Sequence, residues 1–268
     1  MDKAGKAYWD NLWKKKFTPK AIDPESTSLN DYIVRRFHEY FCKLFGALDT
    51  KGKKLLEVGC AQSAWQPYFA REFGFQVSGI DYSETGCKQA KEVLHREGIE
   101  GNVICANFFT PPKEMVEAFD VVISFGVAEH FEDTNACIQA FSRFLKPGGR
   151  LITIIPNLVG LIGMLQRLLN KPVFDIHVPV RVDNLRDAQK SAGLEILWCG
   201  YFLFANFGVV NLAGLEKNCF TFLEKKLLIY SLQQVAKAIW ALELIFSPLP
   251  ANRFLSPYII CVAQKQLG

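Results

Sequence analysis

Short apolar runs alternate along this chain with longer segments in which apolar residues recur every three or four positions. Runs of the first kind are typical of buried strands, and the second spacing is typical of helices packed on a sheet. The predicted strands are Lys54–Val58, Gln76–Ile80, Asn102–Cys105, Asp120–Ser124, Arg150–Ile155, Leu194–Tyr201 and Pro257–Gln264. The helices predicted between them are Trp65–Phe73, Glu84–Glu97, Lys113–Ala118, Thr134–Phe144 and Val182–Ala192. This alternation predicts an α/β fold with a doubly wound, parallel sheet covered by helices on both faces.

The first fifty residues lie outside the alternation. A helix is predicted over Leu29–Leu48, where four apolar residues recur at helical spacing: Ile33, Phe37, Phe41 and Phe45. Nearer the N-terminus, Trp9 and Trp13 stand one helical turn apart. Two tryptophans at this spacing form either a stripe that faces the core or part of a binding site, and both interpretations stay open for them.

The region from residue 194 to residue 250 is unusually apolar. Residues 196–215 carry no charge over about the length that spans a bilayer. However, this run begins inside a predicted strand and contains Asn206, Asn211 and three glycines, so a buried strand followed by a loop is the better interpretation. A further helix is predicted over Leu227–Phe246. It could form an apolar acceptor pocket, which we favour, a dimer interface, or a surface that rests on a membrane.

Composition and charge narrow the class of protein. The 268 residues can bury one full core, and 31 basic against 27 acidic residues give a net charge of +4. This charge is too small and too dispersed for a surface that binds nucleic acid. The eight cysteines include no C-x-x-C pair, which predicts reduced thiols in a cytoplasmic protein. The first residues, MDKAGK, lack the apolar core of a secretory signal, which agrees with a cytoplasmic location.

Two short segments carry the chemical signal. Residues 54–63 (KLLEVGCAQS) read as a strand followed by a tight turn of small residues into a helix, and residues 79–83 (GIDYS) read as a second strand that ends in one carboxylate, Asp81. Small residues let the backbone approach a ligand, the helix presents unpaired N–H groups, and the carboxylate can accept hydrogen bonds from a ribose diol. The two segments together indicate a ligand that contains adenosine.

The glycine pattern separates two families that use this geometry. A nicotinamide-binding turn reads G-x-G-x-x-G, whereas here the acidic Glu57 precedes Gly59. This resembles the first motif of class I S-adenosylmethionine-dependent methyltransferases, an acidic residue followed by G-x-G-x-G. Ala61 and Ser63 depart from that motif, and a methyl group where the family has glycine changes the path open to the loop.

Further landmarks follow in the order of that family. Residues 119–125 (FDVVISF) are similar to its fourth strand, and residues 145–151 (LKPGGRL) are similar to the turn before its fifth. In such a turn Pro147 presets one position and a glycine supplies a positive φ. The tryptophan pair and residues 83–86 (SETG) are also similar to thiopurine and thiol methyltransferases. The resemblance covers roughly residues 50 to 200.

The resemblance implies a Rossmann-like sheet of seven strands that is mostly parallel, with the last strand antiparallel. It also implies a division of the chain into an N-terminal helical lid (1–50), a cofactor-binding core (51–204), an apolar helical insertion that caps the substrate (205–255) and the final strand of the core (256–268).

The resemblance implies S-adenosylmethionine as the cofactor and S-adenosylhomocysteine as the product. The residues expected at the cofactor are Trp13, Glu57, Gly59, Ala61, Asp81, Tyr82, Asn107, Phe108, Phe125 and Gly126. Glu57 and Gly59 are expected at the methionine end, and Asp81 at the ribose diol.

The adenine and the sulfonium have their own expected neighbours. Tyr82 would lie against the adenine, and Asn107 and Phe108 would flank its amino group. Phe125 and Gly126, which leave the fourth strand, would line the sulfonium side.

Two histidines are candidate catalytic residues. The sulfonium methyl is already activated, so the protein mainly has to align the acceptor and exclude water. His130, in an E-H pair after the fourth strand, could deprotonate a hydroxyl or amine acceptor, or it could cap the next helix or orient the loop. His177 follows the fifth strand, where the family often contacts the acceptor. A thiolate or carboxylate acceptor would need neither.

The same E-H pair belongs to a metal site in some quinone-precursor O-methyltransferases, where it joins an upstream carboxylate on a divalent ion. Here Gly126 occupies the position three residues before Glu129. That site is therefore incomplete, and no metal is predicted.

The sequence thus predicts a cytoplasmic methyltransferase for a small, partly apolar acceptor, with O-methylation ahead of S-methylation of a thiol. Two other classes stay open: a NAD-dependent oxidoreductase, which the turn pattern disfavours, and a catalytically silent methyltransferase-like protein that binds a ligand or a membrane. No nucleic acid is predicted as a partner. The apolar C-terminal region would serve either peripheral membrane contact or a homodimer.

Overall fold

A seven-stranded sheet forms the centre of the computed structural model, which describes residues 1–14, 19–215 and 220–267. Its strands are β1 (Lys54–Val58), β2 (Gln76–Asp81), β3 (Gly101–Cys105), β4 (Phe119–Phe125), β5 (Leu145–Pro156), β6 (Leu194–Phe202) and β7 (Tyr258–Lys265). They lie in the order β3-β2-β1-β4-β5-β7-β6, and β7 runs antiparallel to both of its neighbours. The predicted fold class, including the antiparallel last strand, is confirmed.

The helices of the described residues cover both faces of this sheet. They are α1 (Lys6–Trp13), α2 (Tyr32–Phe45), α3 (Trp65–Phe73), α4 (Glu84–Arg96), α5 (Thr134–Ser142), α6 (Leu161–Leu169), α7 (Lys171–Asp175), α8 (Val182–Ser191) and α9 (Phe220–Ile245). Apolar residues of α5 and α8 pack with one face of the sheet, and those of α2, α3 and α4 pack with the other. The successive residues of each central strand divide between these two cores, as the alternation of side chains along a strand requires.

The turn before β5 differs from its prediction. The strand was expected to begin at Arg150, after the turn, but Leu145 already pairs with Phe119 and the next pair joins Val121 to Arg150. Residues 146–149 therefore loop out as a bulge within β5, with Gly148 at φ 77°. Leu145 is fully buried, and its burial places the strand start before the bulge.

Two predicted helices have different limits. The segment predicted as a helix over Leu29–Leu48 begins with a 3₁₀ turn, Leu29–Asp31, in which the Ser28 side chain accepts the Asn30 N–H, and α2 ends at Phe45. The helix predicted over Lys113–Ala118 is a 3₁₀ turn of three residues.

The apolar run 196–215 completes β6 and continues as irregular chain with one 3₁₀ turn, as predicted. Among the described residues, no helix combines the length and the apolar character needed to cross a bilayer. Helix α9 packs through Ala236 and Trp240 on a third apolar cluster, which includes Tyr32 of α2 and Ile162 of α6. Cys219 lies outside the described residues, and the seven described cysteines are free thiols. The division of the chain into lid, core and cap stays a prediction.

Candidate cofactor and acceptor site

A pocket of about 240 Å³ lies at the carboxyl ends of β1, β2 and β4. This is where the strand order of the sheet reverses, because β1 has β2 on one side and β4 on the other. Open α/β sheets bind ligands at such a switch point. The pocket is lined by Trp9, Trp13, Glu57, Gly59, Ala61, Ser63, Trp65, Asp81, Tyr82, Phe125, Gly126, Val127, His130 and Phe131.

The loop after β1 needs glycine at its first position. Gly59 has φ 77°, a backbone conformation that L residues with a side chain rarely adopt. A Cβ at this position would lie 2.4 Å from Cγ2 of Val127. The N–H of Gly59 donates to the carbonyl of Ile80 at 2.9 Å, which holds the loop against the end of β2.

Glu57 presents an unsatisfied carboxylate at the base of the pocket. Its side chain is 2% exposed, and its Oε2 has no hydrogen-bond partner among the described residues. Burial raises the pKa of Glu57 to about 8, and Asp81 contributes to the rise, while a hydrogen bond from Ser63 lowers the pKa. A buried carboxyl group without a partner is costly, so a cationic ligand group here would stabilise its charged form. The ammonium of a bound amino acid moiety fits this position.

The two departures from the family motif have structural reasons. The Ser63 hydroxyl donates to Glu57 Oε1 at 2.8 Å and accepts the N–H of Trp65, the first residue of α3, at 3.0 Å. Glycine could make neither contact. The methyl group of Ala61 lies opposite Gly86, where an added Cβ would be only 2.6 Å away. The methyl group of Ala61 thus fits because residue 86 of α4 is a glycine.

Asp81 joins the two segments of the motif. Its Oδ2 accepts the N–H of Ala61 at 3.2 Å, and its Oδ1 accepts the N–H of Ser83 at 2.8 Å. Burial raises the pKa of Asp81, and these two backbone hydrogen bonds act against the rise. Each carboxylate oxygen keeps a second acceptor position, so the pair can receive the two hydroxyls of a ribose.

Helix α1 closes the pocket from above. Trp9 and Trp13 stack with their ring centroids 5.9 Å apart, and both line the pocket. The carbonyl of Trp13 accepts from the Gln89 side chain at 2.7 Å, and Asp10 accepts from the Ser83 hydroxyl at 2.6 Å. Both partners lie on or at the start of α4, so the helix is held directly over the end of β2.

The opposite wall follows β4. Phe125 stacks on Trp65 with ring centroids 5.0 Å apart and an interplanar angle of 8°. Gly126 follows at φ 67°, and its N–H donates to the Ile154 carbonyl at 2.9 Å. This wall is apolar up to His130, which lies beside the edge of the Trp9 ring at 4.9 Å between centroids.

The pocket gathers most of the residues expected at it from the sequence. Eight of the ten expected cofactor residues line it, together with His130. Asn107 is exposed, with its side chain bound to the Phe109 N–H, and Phe108 is buried against Phe131 and Phe141. Neither lines the pocket. The lining residues that the sequence did not assign to the site are Trp9, Ser63, Trp65, Val127 and Phe131.

His177 lies outside the pocket but against His130. Their ring centroids are 4.3 Å apart. Burial lowers the pKa of His130 to about 4, and His177 contributes to that shift; burial also lowers the pKa of His177. Beside them Glu129 is 2% exposed, and burial raises its pKa to about 8. Burial thus favours the neutral form of all three neighbouring groups.

Comparison with known proteins agrees with the methyltransferase family that the sequence motifs predicted. Residues 56–153 match the family described as Methyltransferase domain. A ubiquinone biosynthesis O-methyltransferase of Pseudomonas fluorescens is 32% identical over 155 residues, which are 54% of this chain and 66% of that protein. Matches to the first relatives span between 41% and 66% of the relatives' own length.

Two solved structures show how widely the fold is used. A geranyl diphosphate C-methyltransferase from Streptomyces coelicolor, solved with Mg²⁺, geranyl diphosphate and S-adenosylhomocysteine, has a TM-score of 0.59 and 14% identity, covering 96% of each chain. A phosphoethanolamine N-methyltransferase of Haemonchus contortus, solved with S-adenosylmethionine, has a TM-score of 0.58 and 18% identity over 98% of this chain and 57% of that one. At these identities the likeness concerns the fold alone, and the fold does not select the acceptor atom.

Proposed function

Because the chain carries a class I S-adenosylmethionine-dependent methyltransferase domain, we propose that it transfers the methyl group of this cofactor to an oxygen atom of a small, partly apolar acceptor. The observation that carries the proposal is the pair formed by Glu57 and Asp81 in one pocket at the switch point of the sheet. One carboxylate lacks a partner for a cation, and the other offers acceptor positions for a diol.

Bound S-adenosylmethionine supplies an electrophilic methyl group on a sulfonium. The residues of this chain hold its two ends and shield the reacting centre. Glu57 binds the ammonium, Asp81 the ribose hydroxyls, and Tyr82 lies against the adenine. Trp13 covers the cofactor, and Phe125 lines the sulfonium side, where an apolar wall excludes water from the transfer.

The proposed acceptor is supported by the names of the curated relatives and by the side chains that line the pocket. The curated relatives are named O-methyltransferases, which supports oxygen as the acceptor atom. Aromatic side chains surround the sulfonium side, which supports a partly apolar acceptor. Methyl transfer to a thiol is the second candidate, because the tryptophan pair is similar to that of thiol methyltransferases and a thiolate needs no general base.

His130 and His177 are proposed to contact the acceptor. With its pKa lowered to about 4, His130 is neutral at pH 7 and accepts a proton only weakly. Its role in this proposal is therefore to hold the acceptor hydroxyl by a hydrogen bond, rather than to remove its proton unaided.

Exposed apolar side chains on the outer face of α9 support a contact with a membrane or with a second copy of the protein. Leu227 and Ile245 of α9 are 63% and 73% exposed, and Phe246, the residue after the helix, is 80% exposed. We keep two proposals for this face, a peripheral membrane contact and a homodimer. Sedimentation velocity of the protein alone and co-sedimentation with liposomes distinguish them, with Phe246→Ser as the variant that should abolish either.

Titration calorimetry tests the cofactor assignment first. Purified protein is titrated with S-adenosylmethionine, S-adenosylhomocysteine and NADH, in parallel with Asp81→Ala and with Asp175→Ala, an exposed aspartate, as the matched control. We expect micromolar binding of the first two ligands, a loss of at least about tenfold in Asp81→Ala, about 1.4 kcal/mol, and no change in Asp175→Ala. Binding of NADH alone would instead support an oxidoreductase.

Turnover is tested separately, since a binding protein without activity would pass the first experiment. Release of S-adenosylhomocysteine is measured with phenols, thiols and carboxylates as acceptors. Methylation of a phenol or another hydroxyl supports the proposal, and methylation of thiols alone supports the second candidate. Cofactor binding without any turnover would support the catalytically silent alternative.

A further inference from the structure

Two loops bring Glu129, His130 and His177 together beside the pocket. The first two belong to a 3₁₀ turn, Ala128–His130, that follows β4, and His177 follows α7. The backbone joins the loops, because Val178 donates its N–H to the carbonyl of Glu129 at 2.6 Å. One potential ligand atom from each of the three side chains lies within 4.8 Å of the others.

The hydrogen bonds of the two imidazoles leave one nitrogen of each ring free to bind a ligand. His130 Nδ1 lies 3.0 Å from the carbonyl of Ile176, and His177 Nδ1 lies 2.5 Å from the carbonyl of Val173. A carbonyl oxygen only accepts, so each Nδ1 carries the proton and each Nε2 keeps its lone pair. Metal-bound histidines show this arrangement, in which a backbone carbonyl fixes the tautomer and the orientation of the ring.

The side chain of Glu129 independently indicates that a ligand binds here. Glu129 is 2% exposed, and its Oε2 has no hydrogen-bond partner among the described residues. The other oxygen, Oε1, lies beside Gly126, where an added Cβ would be 3.4 Å from it, at van der Waals contact. A buried carboxyl group without a hydrogen-bond partner is costly, and a cation bound between it and the two imidazoles would relieve that cost.

We propose that Glu129, His130 and His177 bind one divalent transition-metal ion, with Zn²⁺ as the model occupant, at the acceptor side of the pocket. Two imidazoles and one carboxylate favour zinc, iron or cobalt, whereas Mg²⁺ prefers oxygen ligands. The set thus differs from the carboxylate-rich site of the quinone-precursor enzymes, whose upstream carboxylate is replaced here by Gly126.

The geometry is close to that of a bound ion. Ligand atoms about 2.1 Å from a tetrahedral ion lie about 3.4 Å apart, so binding would draw atoms that are now within 4.8 Å of one another together by up to about 1.4 Å. The Lys3 ammonium, which donates to the His177 carbonyl at 3.0 Å, is the nearby charge that opposes a cation. Asp2 acts on His130 in the opposite sense.

This inference rests on the proposed function for its catalytic meaning. Three protein ligands would leave a coordination position for a water molecule or an acceptor hydroxyl, and a zinc ion lowers the pKa of bound water to about 7, so it would also acidify a hydroxyl held there. His130 lines the pocket, so an ion bound to it would be reached from the acceptor side of the pocket. With an ion bound, the acceptor hydroxyl would be held by the ion in place of the direct hydrogen bond to His130, and the ion would supply the deprotonation for which His130 alone is a weak base.

The test uses the untagged full chain, freed of metal with a chelator and titrated with Zn²⁺, Co²⁺ and Mg²⁺ in turn. His177→Asn and Glu129→Gln remove one ligand each, and His95→Asn, an exposed histidine of α4, is the matched control. Thermal unfolding without metal first establishes that each variant folds. Visible absorption of the Co²⁺ form reports imidazole coordination independently of activity.

We expect one Zn²⁺ and one Co²⁺ per chain, at least tenfold weaker binding in both ligand variants, and unchanged binding in His95→Asn. Absence of stoichiometric binding, retention of it in the ligand variants, or a preference for Mg²⁺ would each overturn the proposal. Titration with S-adenosylhomocysteine in the presence of chelator reports the cofactor pocket separately, so that failure of the metal site is distinguishable from failure of the proposed function.

Discussion

At the scale of single residues, the site depends on carboxyl groups that folding leaves in unfavourable surroundings. Glu57 is buried at the end of β1 with one oxygen unpartnered, and Asp81 ties the β1 loop to the β2 turn. In the proposed complex Glu57 binds the ammonium of the cofactor, so a residue that costs stability in the free protein would link folding to ligand binding. The titration of Glu57 makes this link measurable.

We expect Glu57→Gln to reduce the loss of stability at alkaline pH. The pKa of Glu57 is about 8 in the folded protein and near 4.5 ordinarily, so the folded state holds its proton more tightly. Its contribution is present below about pH 4.5 and is lost as the pH rises through about 8. Each such group adds a slope of at most about 1.4 kcal/mol per pH unit. Melting temperatures of the cofactor-free protein between about pH 6.5 and pH 8.5 measure the effect.

Glu129 and His130 also have shifted pKa values and therefore affect the pH dependence of stability. Glu129 has the same raised pKa, so the variant should keep about half of the wild-type slope. The pKa of His130 is about 4 in the folded protein and 6.5 ordinarily, so its contribution makes stability rise with pH up to about 6.5 and is small above about pH 7.5, where the slopes are compared. Glu132→Gln, at an exposed carboxylate, should keep the full slope. An unchanged slope in Glu57→Gln would show that Glu57 does not hold a proton in the free protein.

The residue types at the site were largely predictable, because close backbone approach and diol binding demand particular residues at particular spacings. Gly59 and Asp81 are both found where those demands place them. The contact between His130 and His177 was not predictable in this way, since it depends on how α7 returns the chain to the β4 loop across 47 positions. For the same reason Trp65 was assigned only to a helix, although its stacking on Phe125 makes it a wall of the site.

At the scale of elements, α1 restricts access to the pocket. The pocket volume of about 240 Å³ is below the range of about 300–1,000 Å³ that is usual for ligand sites. We therefore expect that a nucleoside with an amino acid tail enters only when α1 moves outward. The family resemblance implied an N-terminal lid, which stays a prediction, and side-chain hydrogen bonds attach α1 to α4.

We expect Asp10→Ala to loosen α1 and to speed the release of cofactor. The variant removes the 2.6 Å hydrogen bond from the Ser83 hydroxyl, which also caps α4, and leaves the pocket lining intact. A loss of about 1 kcal/mol corresponds to a dissociation rate constant about fivefold higher. Stopped-flow tryptophan fluorescence measures that rate, because Trp9 and Trp13 both line the pocket.

Asn11→Ala, at an exposed position on the same helix, is the matched control and should release cofactor at the wild-type rate. If Asp10→Ala behaved like this control, α1 would not act as a closing element. Since both variants change helix propensity in the same direction, a shared effect would reflect the helix itself and not its attachment to α4.

At the scale of the whole molecule, the two segments outside the sheet's βα units support each other. Helix α2 and helix α9, about two hundred residues apart in sequence, meet through Tyr32 and Trp240, whose rings stack at 5.3 Å with an interplanar angle of 14°. The Tyr32 hydroxyl also donates to Glu243 at 2.6 Å, and both groups are buried. The sequence predicted both helices but not their pairing, because helical periodicity shows which face is buried and not what covers it.

We expect Tyr32→Phe to destabilise the protein while preserving this packing. The ring and its stacking on Trp240 remain, but the Glu243 carboxylate loses its buried donor and keeps only the N–H of Leu249, 2.8 Å from Oε1. Leaving a buried acceptor without a donor costs about 1–3 kcal/mol. For a chain of this size each kcal/mol lowers the melting temperature by about 2–4 °C.

Tyr230→Phe separates the hydrogen bond from a general effect of removing a hydroxyl, since Tyr230 lies on α9 with 61% of its surface exposed. Its melting temperature should stay within about 1 °C of the wild type, because substitutions on the surface rarely exceed about 0.5 kcal/mol. Equal melting temperatures for the two variants would mean that the Tyr32 hydroxyl does not hold α2 to α9. A specific loss in Tyr32→Phe, with unchanged cofactor affinity, would show that this pair stabilises the fold without belonging to the site.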